Sequence, residues 1–175
     1  LMASKAGVSK AFQSHGEVTR VGYGSLNVSG VVTSDVATFA GSSRAGFFTW
    51  LHGKSAGGGT PLIGALNAAG NYFKKDEPWR TNPSSSSSAL LECRQNFTIL
   101  MTDGYYSDSI SGVNNQDGTD GTTISGPKNP DYTYLAGNPF TDSKSNTLAD
   151  VAMKFWKNDL RPDLDNTVPV AGINP

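Results

Sequence analysis

Along this chain the hydrophobic positions change their period several times, and each change marks an element. Leu1, Lys5, Val8 and Phe12 follow the i, i+4, i+7, i+11 spacing of one helix face, apolar except at Lys5. Residues 17–26 read as a strand, and residues 28–39, rich in Val and Thr, read as its hairpin partner or the next edge strand. Ser42 or Ser43 suits the cap of a short helix whose apolar face is Phe47, Phe48 and Leu51. Gly57-Gly58-Gly59-Thr60-Pro61 opens the next helix, with Thr60 predicted as N-cap and Pro61 as the first helical residue. Leu62, Leu66, Ala69 and Phe73 trace its stripe, which predicts a helix over roughly 61–74. The serine-rich stretch 81–88 reads as a flexible surface loop. Phe97-Thr98-Ile99-Leu100-Met101 follows, short and β-favouring, and predicts a central strand buried on both faces of a parallel sheet. From about 105 to 146 no period is sustained, and the scattered aromatics there predict an ordered insertion folded against the body. Thr147-Leu148-Ala149-Asp150 is a capping-box-like start. It leads a final helix over 148–159, with Leu148, Val151, Ala152 and Phe155 facing inward and Trp156 alongside. The order helix, strand, strand, helix, helix, strand, helix indicates an α/β layered domain.

Composition narrows the functional classes. A chain of 175 residues fits one domain and can bury a core without disulfide staples. The 37% hydrophobic content, 20 Gly and 9 Pro place much of it in loops around a compact centre. Fourteen Lys and Arg against 15 Asp and Glu give a net charge of −1, with no basic run. Nucleic acid is therefore excluded as a partner, because neutralising phosphates needs a positive face. No apolar stretch reaches the roughly 20 residues of a membrane helix. Both ends read as cut: the chain starts inside a helix and stops at Asn174-Pro175 in a Pro-rich linker. Cys93, the only cysteine, reads as a packed small hydrophobe or as half of a pair with a cysteine outside the sequence.

Several motifs dissolve on inspection. Gly53-Lys54-Ser55 imitates the end of a phosphate-binding loop, but the required earlier glycine falls on Phe48. In Asn114-Asn115-Gln116-Asp117-Gly118-Thr119-Asp120-Gly121 the first calcium-ligand position becomes Val113 or Gln116, so the stretch reads as a series of Asp-Gly turns. Gly53-Lys54-Ser55-Ala56-Gly57 matches the pattern of a nucleophile elbow, yet a helix precedes it and glycine follows. His15 and His52 are the only candidate bases, and no spacing sets either against Ser55. One constellation survives. Thr60 stands at a helix N-terminus and Asp103 at the tip of the expected central strand, where ligands sit in open α/β sheets. A hydroxyl and a carboxylate there suit a hard cation with oxygen ligands, just as each alone suits a cap and a tight turn.

Gly58-Gly59-Thr60-Pro61-Leu62, followed by Ile99-Leu100-Met101-Thr102-Asp103-Gly104, resembles the von Willebrand factor A domain, in which the Thr and Asp belong to a metal-ion-dependent adhesion site. Residues 92–97, 117–121, 147–153 and 156–164 extend the likeness over nearly the whole chain, to the N-terminal region of PilY/PilC-type type IV pilus tip and assembly proteins. The resemblance implies a three-layer α/β fold, a von Willebrand A-like (Rossmann-like) sheet with helices on both faces. Residues 1–175 would be a partial domain, incomplete at both ends, with the insertion at about 105–146. It implies a non-enzymatic role in pilus biogenesis, adhesion and twitching motility at the bacterial cell surface, as an extracellular pilus-tip or outer-membrane-associated module. Pilus subunits (minor pilins) and host or abiotic surface ligands would be the partners. Magnesium or calcium would bind at Thr60 and Asp103 in the intact domain. The Asp-x-Ser-x-Ser motif that supplies the main ligands of such sites does not occur here, so this fragment is expected to bind neither ion tightly. Two other readings stand beside this one: a metal-free structural interaction domain, and a hydrolase with the insertion as lid.

Overall fold

A hairpin and two helices share an aromatic core in the first third of the chain. In the computed structural model, which describes residues 1–127 and 129–168, α1 (Met2–Gln13) precedes the antiparallel strands β1 (Arg20–Gly24) and β2 (Val32–Thr38), and α2 (Gly41–Gly53) follows. The expected Asn174-Pro175 linker lies outside the described residues. Arg20 pairs opposite Thr38 and Gly24 opposite Val32. The strand end closes tightly, since a Cβ on Gly24 would stand 1.9 Å from the Val31 carbonyl oxygen. Phe39, Phe47 and Leu51 are buried, with Val8, Phe12, Val21, Tyr23, Phe48 and Trp50 packed against them. Phe39 and Phe47 meet edge to face at 5.4 Å, a favoured aromatic geometry. Lys5 Nζ donates to the His52 carbonyl (2.6 Å), which explains why the one polar residue in the α1 stripe faces α2. Ser42 and Ser43 lie inside α2 rather than at its cap, which is Ala40 without a side-chain bond.

The second core forms where α3 (Leu62–Tyr72) crosses α4 (Leu148–Trp156). Ile63, Val113 and Val151 are buried there, flanked by Leu66, Ile110, Leu148 and Phe155. Each such fully buried aliphatic side chain contributes about 1.5–3 kcal/mol. Gly70 allows the close crossing: a Cβ there would stand 2.3 Å from the Phe155 ring. The buried face of α3 is turned slightly from the expected stripe, with Tyr72 buried and Phe73 only half-buried. The Tyr72 hydroxyl accepts from Val36 N (2.9 Å), tying α3 to the hairpin, and burial raises its ionisation far above the usual range. The capping box at α4 is complete: Asp150 N donates to Thr147 Oγ1 (3.1 Å), and Thr147 N to Asp150 Oδ2 (2.8 Å).

Arginines replace regular structure between residues 73 and 96. The Pro78 carbonyl accepts from both Arg20 and Arg94 (3.1 Å each), and Arg94 also reaches the Arg80 carbonyl (2.7 Å). Asp76 joins Arg80 (2.7 Å) to Arg161 (3.0 Å), and the buried Arg161 also holds Asp163. The serine loop is braced rather than loose: Ser88 Oγ donates to the Asn82 carbonyl, and Thr81 N to the Ala89 carbonyl. Cys93 is an exposed free thiol in the turn that follows, not a packed core residue.

Residues 97–101 depart most from expectation. Among the described residues they join no ladder, and Phe97, Ile99 and Met101 are 80%, 75% and 54% exposed. Only Leu100, on the opposite face, is half-buried. Thr98 is exposed as well, so among the described residues this apolar segment is left uncovered by any neighbouring strand. The insertion, by contrast, is closely held. Its short β3 (Ile124–Gly126) and β4 (Asn129–Tyr132) pair antiparallel. Asn146 Oδ1 accepts from Val113 N and Asn114 N (3.0 and 2.8 Å), and Asp150 Oδ1 from Gln116 N (2.8 Å). Mixed helix and strand with two small antiparallel sheets is thus what the described residues contain.

Candidate functional site

The glycine-rich loop before α3 and the segment after Gly104 form one hydrogen-bonded corner. Gly58 sits at φ +85° with a would-be Cβ 2.5 Å from Asn27 Nδ2, so glycine is required both by conformation and by space. Asn27 Nδ2 donates to the Gly59 carbonyl (2.8 Å), pinning the loop to the hairpin turn. Thr60 N donates to Ser107 Oγ (2.9 Å), and Ser107 N returns to the Thr60 carbonyl (2.9 Å). Asp103 lies exposed in a bend only four residues before Ser107. Four residues of extended chain reach at most about 14 Å, which bounds how far the Asp103 backbone stands from this corner. The bend is shaped by Thr102, whose hydroxyl bonds both the N–H and the carbonyl of Gly104 (3.1 Å each).

The cap of α3 is not Thr60. The helix starts at Leu62 with Pro61 in the cap position, and no cap side-chain bond comes from within that turn. Asp108 supplies it from across the corner: Oδ2 accepts from Gly64 N (2.7 Å) and Oδ1 from Ile63 N (3.3 Å). A carboxylate against the first-turn amides also favours the positive end of the helix dipole. Sequence periodicity had no way to show this, since Asp108 is 44 residues from its partner in an aperiodic stretch; only its carboxylate chemistry hinted at a role. Proline lacks a side-chain acceptor, which is why an outside one is needed.

The expected cation ligands at this corner are Thr60 and Asp103. The Thr60 hydroxyl and the Asp103 carboxylate are two ligating groups, three oxygens at most, whereas magnesium demands six in near-octahedral order. Asp108 engages both carboxylate oxygens on α3, and Ser107 Oγ already accepts from Thr60 N. Among the described residues no group of three His, Cys, Asp or Glu side chains is arranged to hold a metal. The corner therefore does not fit a complete metal site made from these residues alone. For hydrolysis the geometry is equally sparse: Ser55 lies exposed after α2, His52 Nε2 is 3.4 Å from Ser9 Oγ, and His15 Nδ1 is 3.5 Å from Thr19 Oγ1.

The chain is 34% identical over 179 residues to the type IV pilus biogenesis factor PilY1 of Pseudomonas aeruginosa strain PAK, across 95% of its own length. It is 32% identical over 174 residues to PilY1 of strain UCBPP-PA14, and 35% identical over 133 residues to that of strain PAO1. Its homologues are pilus biogenesis factors. The chain spans only 15%, 14% and 11% of those three relatives, so it corresponds to one region of a much longer protein. No family model matches the chain, and no solved structure does. Among the described residues no helix is long and apolar enough to cross a membrane.

Proposed function

We propose that this chain is a non-enzymatic module of a type IV pilus biogenesis factor, acting at the cell surface in pilus assembly and adhesion. The observation that carries the reading is the 34% identity to PilY1 along 95% of the chain. We further propose that its fold is a von Willebrand A-like α/β domain in which residues 97–101 pair with strands from elsewhere in the longer protein. The exposure of the apolar Phe97, Ile99 and Met101 side chains supports this, because an unpaired apolar edge is a template for strand pairing. Minor pilins and surface ligands are the partners this reading implies. An in-frame deletion of residues 1–168 in the parent gene should abolish surface pili and twitching while leaving pilin synthesis intact. Normal piliation in the deletion strain would overturn the reading.

A metal-ion-dependent adhesion site at Thr60 and Asp103 belongs to the same proposal in its finer form. With two ligand residues available, the remaining ligands must come from residues elsewhere in the longer protein and from water. A metal-free interaction domain is the second reading, favoured by the engagement of Ser107 and Asp108 in structural bonds. Adhesion of piliated cells measured with and without a chelator separates them. Chelator sensitivity that disappears in Asp103→Ala supports the metal site, and adhesion unaffected by chelator or substitution supports the metal-free module.

A further inference from the structure

Lys157, at the C-terminal end of α4, is only 2% exposed, and its ammonium points into the 116–120 turn of the insertion. Nζ donates to the carbonyls of Gln116 (2.6 Å) and Thr119 (2.6 Å) and to Thr119 Oγ1 (2.7 Å). An ammonium carries three protons, so every one has a short, charge-assisted bond. Asp120, Asp117 and Asp150 surround the group electrostatically and oppose the downward push that burial exerts on its ionisation. Two carbonyls, one hydroxyl and nearby carboxylates are the oxygen types that hold hard cations in Asp- and Gly-rich loops. The turn itself is fixed from several sides. Gln116 N donates to Asp150 Oδ1 (2.8 Å), Gly118 N to Asn115 Oδ1 (2.5 Å), and the Tyr134 hydroxyl to the Asp117 carbonyl (2.8 Å). Gly121 closes against the Lys157 carbonyl, where a Cβ would stand at 2.4 Å. Thr122 N then donates to Asn158 Oδ1 (3.1 Å), and Asp159 N to Thr122 Oγ1 (2.9 Å).

We propose that the 116–120 turn is a cation cage whose resident cation is the Lys157 ammonium, a tethered substitute for a metal ion that locks the insertion onto α4. Removing the tethered cation while keeping the cage leaves oxygens converging on an empty centre, and a small free cation then takes it. The role differs from that of an ordinary buried ion pair, in which the acidic partners, not the backbone carbonyls, make the short contacts.

Amide exchange of residues 116–121 in the protein at its natural length tests this. In Lys157→Met those amides should exchange about tenfold faster or more, since local opening loses charge-assisted bonds, while the β1–β2 hairpin keeps its wild-type rates. In Lys157→Ala, millimolar methylammonium or calcium should restore much of the protection, and choline, which has no N–H donor and is too large, should not. Wild-type exchange in Lys157→Met overturns the proposal, and so does rescue by choline equal to rescue by methylammonium. Failure of methylammonium and calcium alike to restore any protection in Lys157→Ala overturns it too. Should neither lysine variant accumulate, Thr119→Val keeps the charge and removes one acceptor. Exchange faster by a few-fold confined to 116–121 then supports the cage, and unchanged protection there counts against it.

Discussion

Residues 97–106 and 113–122 sit only a few positions apart and reverse each other's expected roles. The first carries the most strand-like apolar run in the chain, and its Phe97, Ile99, Met101 and Tyr105 side chains stand in solvent. The second is a polar, glycine-containing stretch without period, and it holds a buried Val113, a caged lysine and amides satisfied by Asn146 and Asp150. Apolar content states what a segment would gain by burial, not whether a neighbour is there to bury it. Polar content states the reverse: a loop rich in Asn, Asp and Thr can be ordered wherever its side chains meet backbone groups at fixed positions. The 113–122 stretch is accordingly held by side-chain-to-backbone bonds rather than by a sheet ladder.

The strongest blow to that arrangement is predicted at Asp150. It is 4% exposed, closes the α4 capping box and accepts from Gln116 N. Asp150→Ala keeps the Thr147 cap but removes the carboxylate half of the capping box, leaving the part-buried Thr147 and Gln116 N–H groups without their acceptor, for a total of about 3 kcal/mol in denaturant unfolding. A loss below about 1 kcal/mol would show that the insertion does not depend on this carboxylate. Acid gives a second handle on the same group. Burial would raise the Asp150 pKa, but the Gln116 and Thr147 amides, the Thr147 hydroxyl and the Lys157 charge hold it below its ordinary 3.8. A carboxyl depressed in the folded state binds fewer protons there than when unfolded. Its stabilisation is therefore complete above 3.8 and is lost as pH falls below that value toward the folded pKa. Unfolding free energy followed from pH 5 downward should fall less steeply in Asp150→Asn than in the wild type, and equal slopes would remove Asp150 from the account.

How much of this was readable in advance depended on range. The α1, β1–β2, α3 and α4 segments follow from local periodicity, and the Thr147–Asp150 box follows from a four-residue signature. The corner before α3 was visible as glycine, Thr60 and Pro61, but its cap comes from Asp108, 44 residues beyond the amide it receives. Lys157 sits one residue past the end of an amphipathic helix, where a lysine normally reads as a solvated C-terminal charge favoured by the helix dipole. Arg161 is hidden in the same way, since its partners Lys75 and Asp76 lie 86 and 85 residues away. Long-range hydrogen-bond partners of this kind have no period and so leave no pattern.

Asp108 and Thr60 give a smaller, directional test of the corner. Asp108→Ala should cost about 1 kcal/mol, because two amides at the start of α3 lose their acceptor. Thr60→Ala should cost less, because Thr60 meets Ser107 through its backbone N–H and carbonyl, which alanine keeps. Thermal unfolding of the two variants side by side orders them. A larger loss in Thr60→Ala would return the cap to Thr60 and contradict the geometry.

The smallest effect is predicted at the position that looks most hydrophobic. Ile99 is 75% exposed and touches no core cluster, so Ile99→Thr should change the unfolding free energy of the 175-residue chain by no more than about 0.5 kcal/mol. Threonine keeps the β-branch, so strand propensity is preserved and only apolar surface is lost. In the protein at its natural length the proposed von Willebrand A-like sheet would cover this side chain. There the same substitution should cost about 2 kcal/mol, the scale of losing a buried aliphatic surface and introducing a hydroxyl. The two measurements together isolate the contribution of the covering strands from that of the chain itself. Equal, near-zero losses in both settings would leave residues 97–101 exposed in the longer protein as well, and the proposed sheet would have to be built without them.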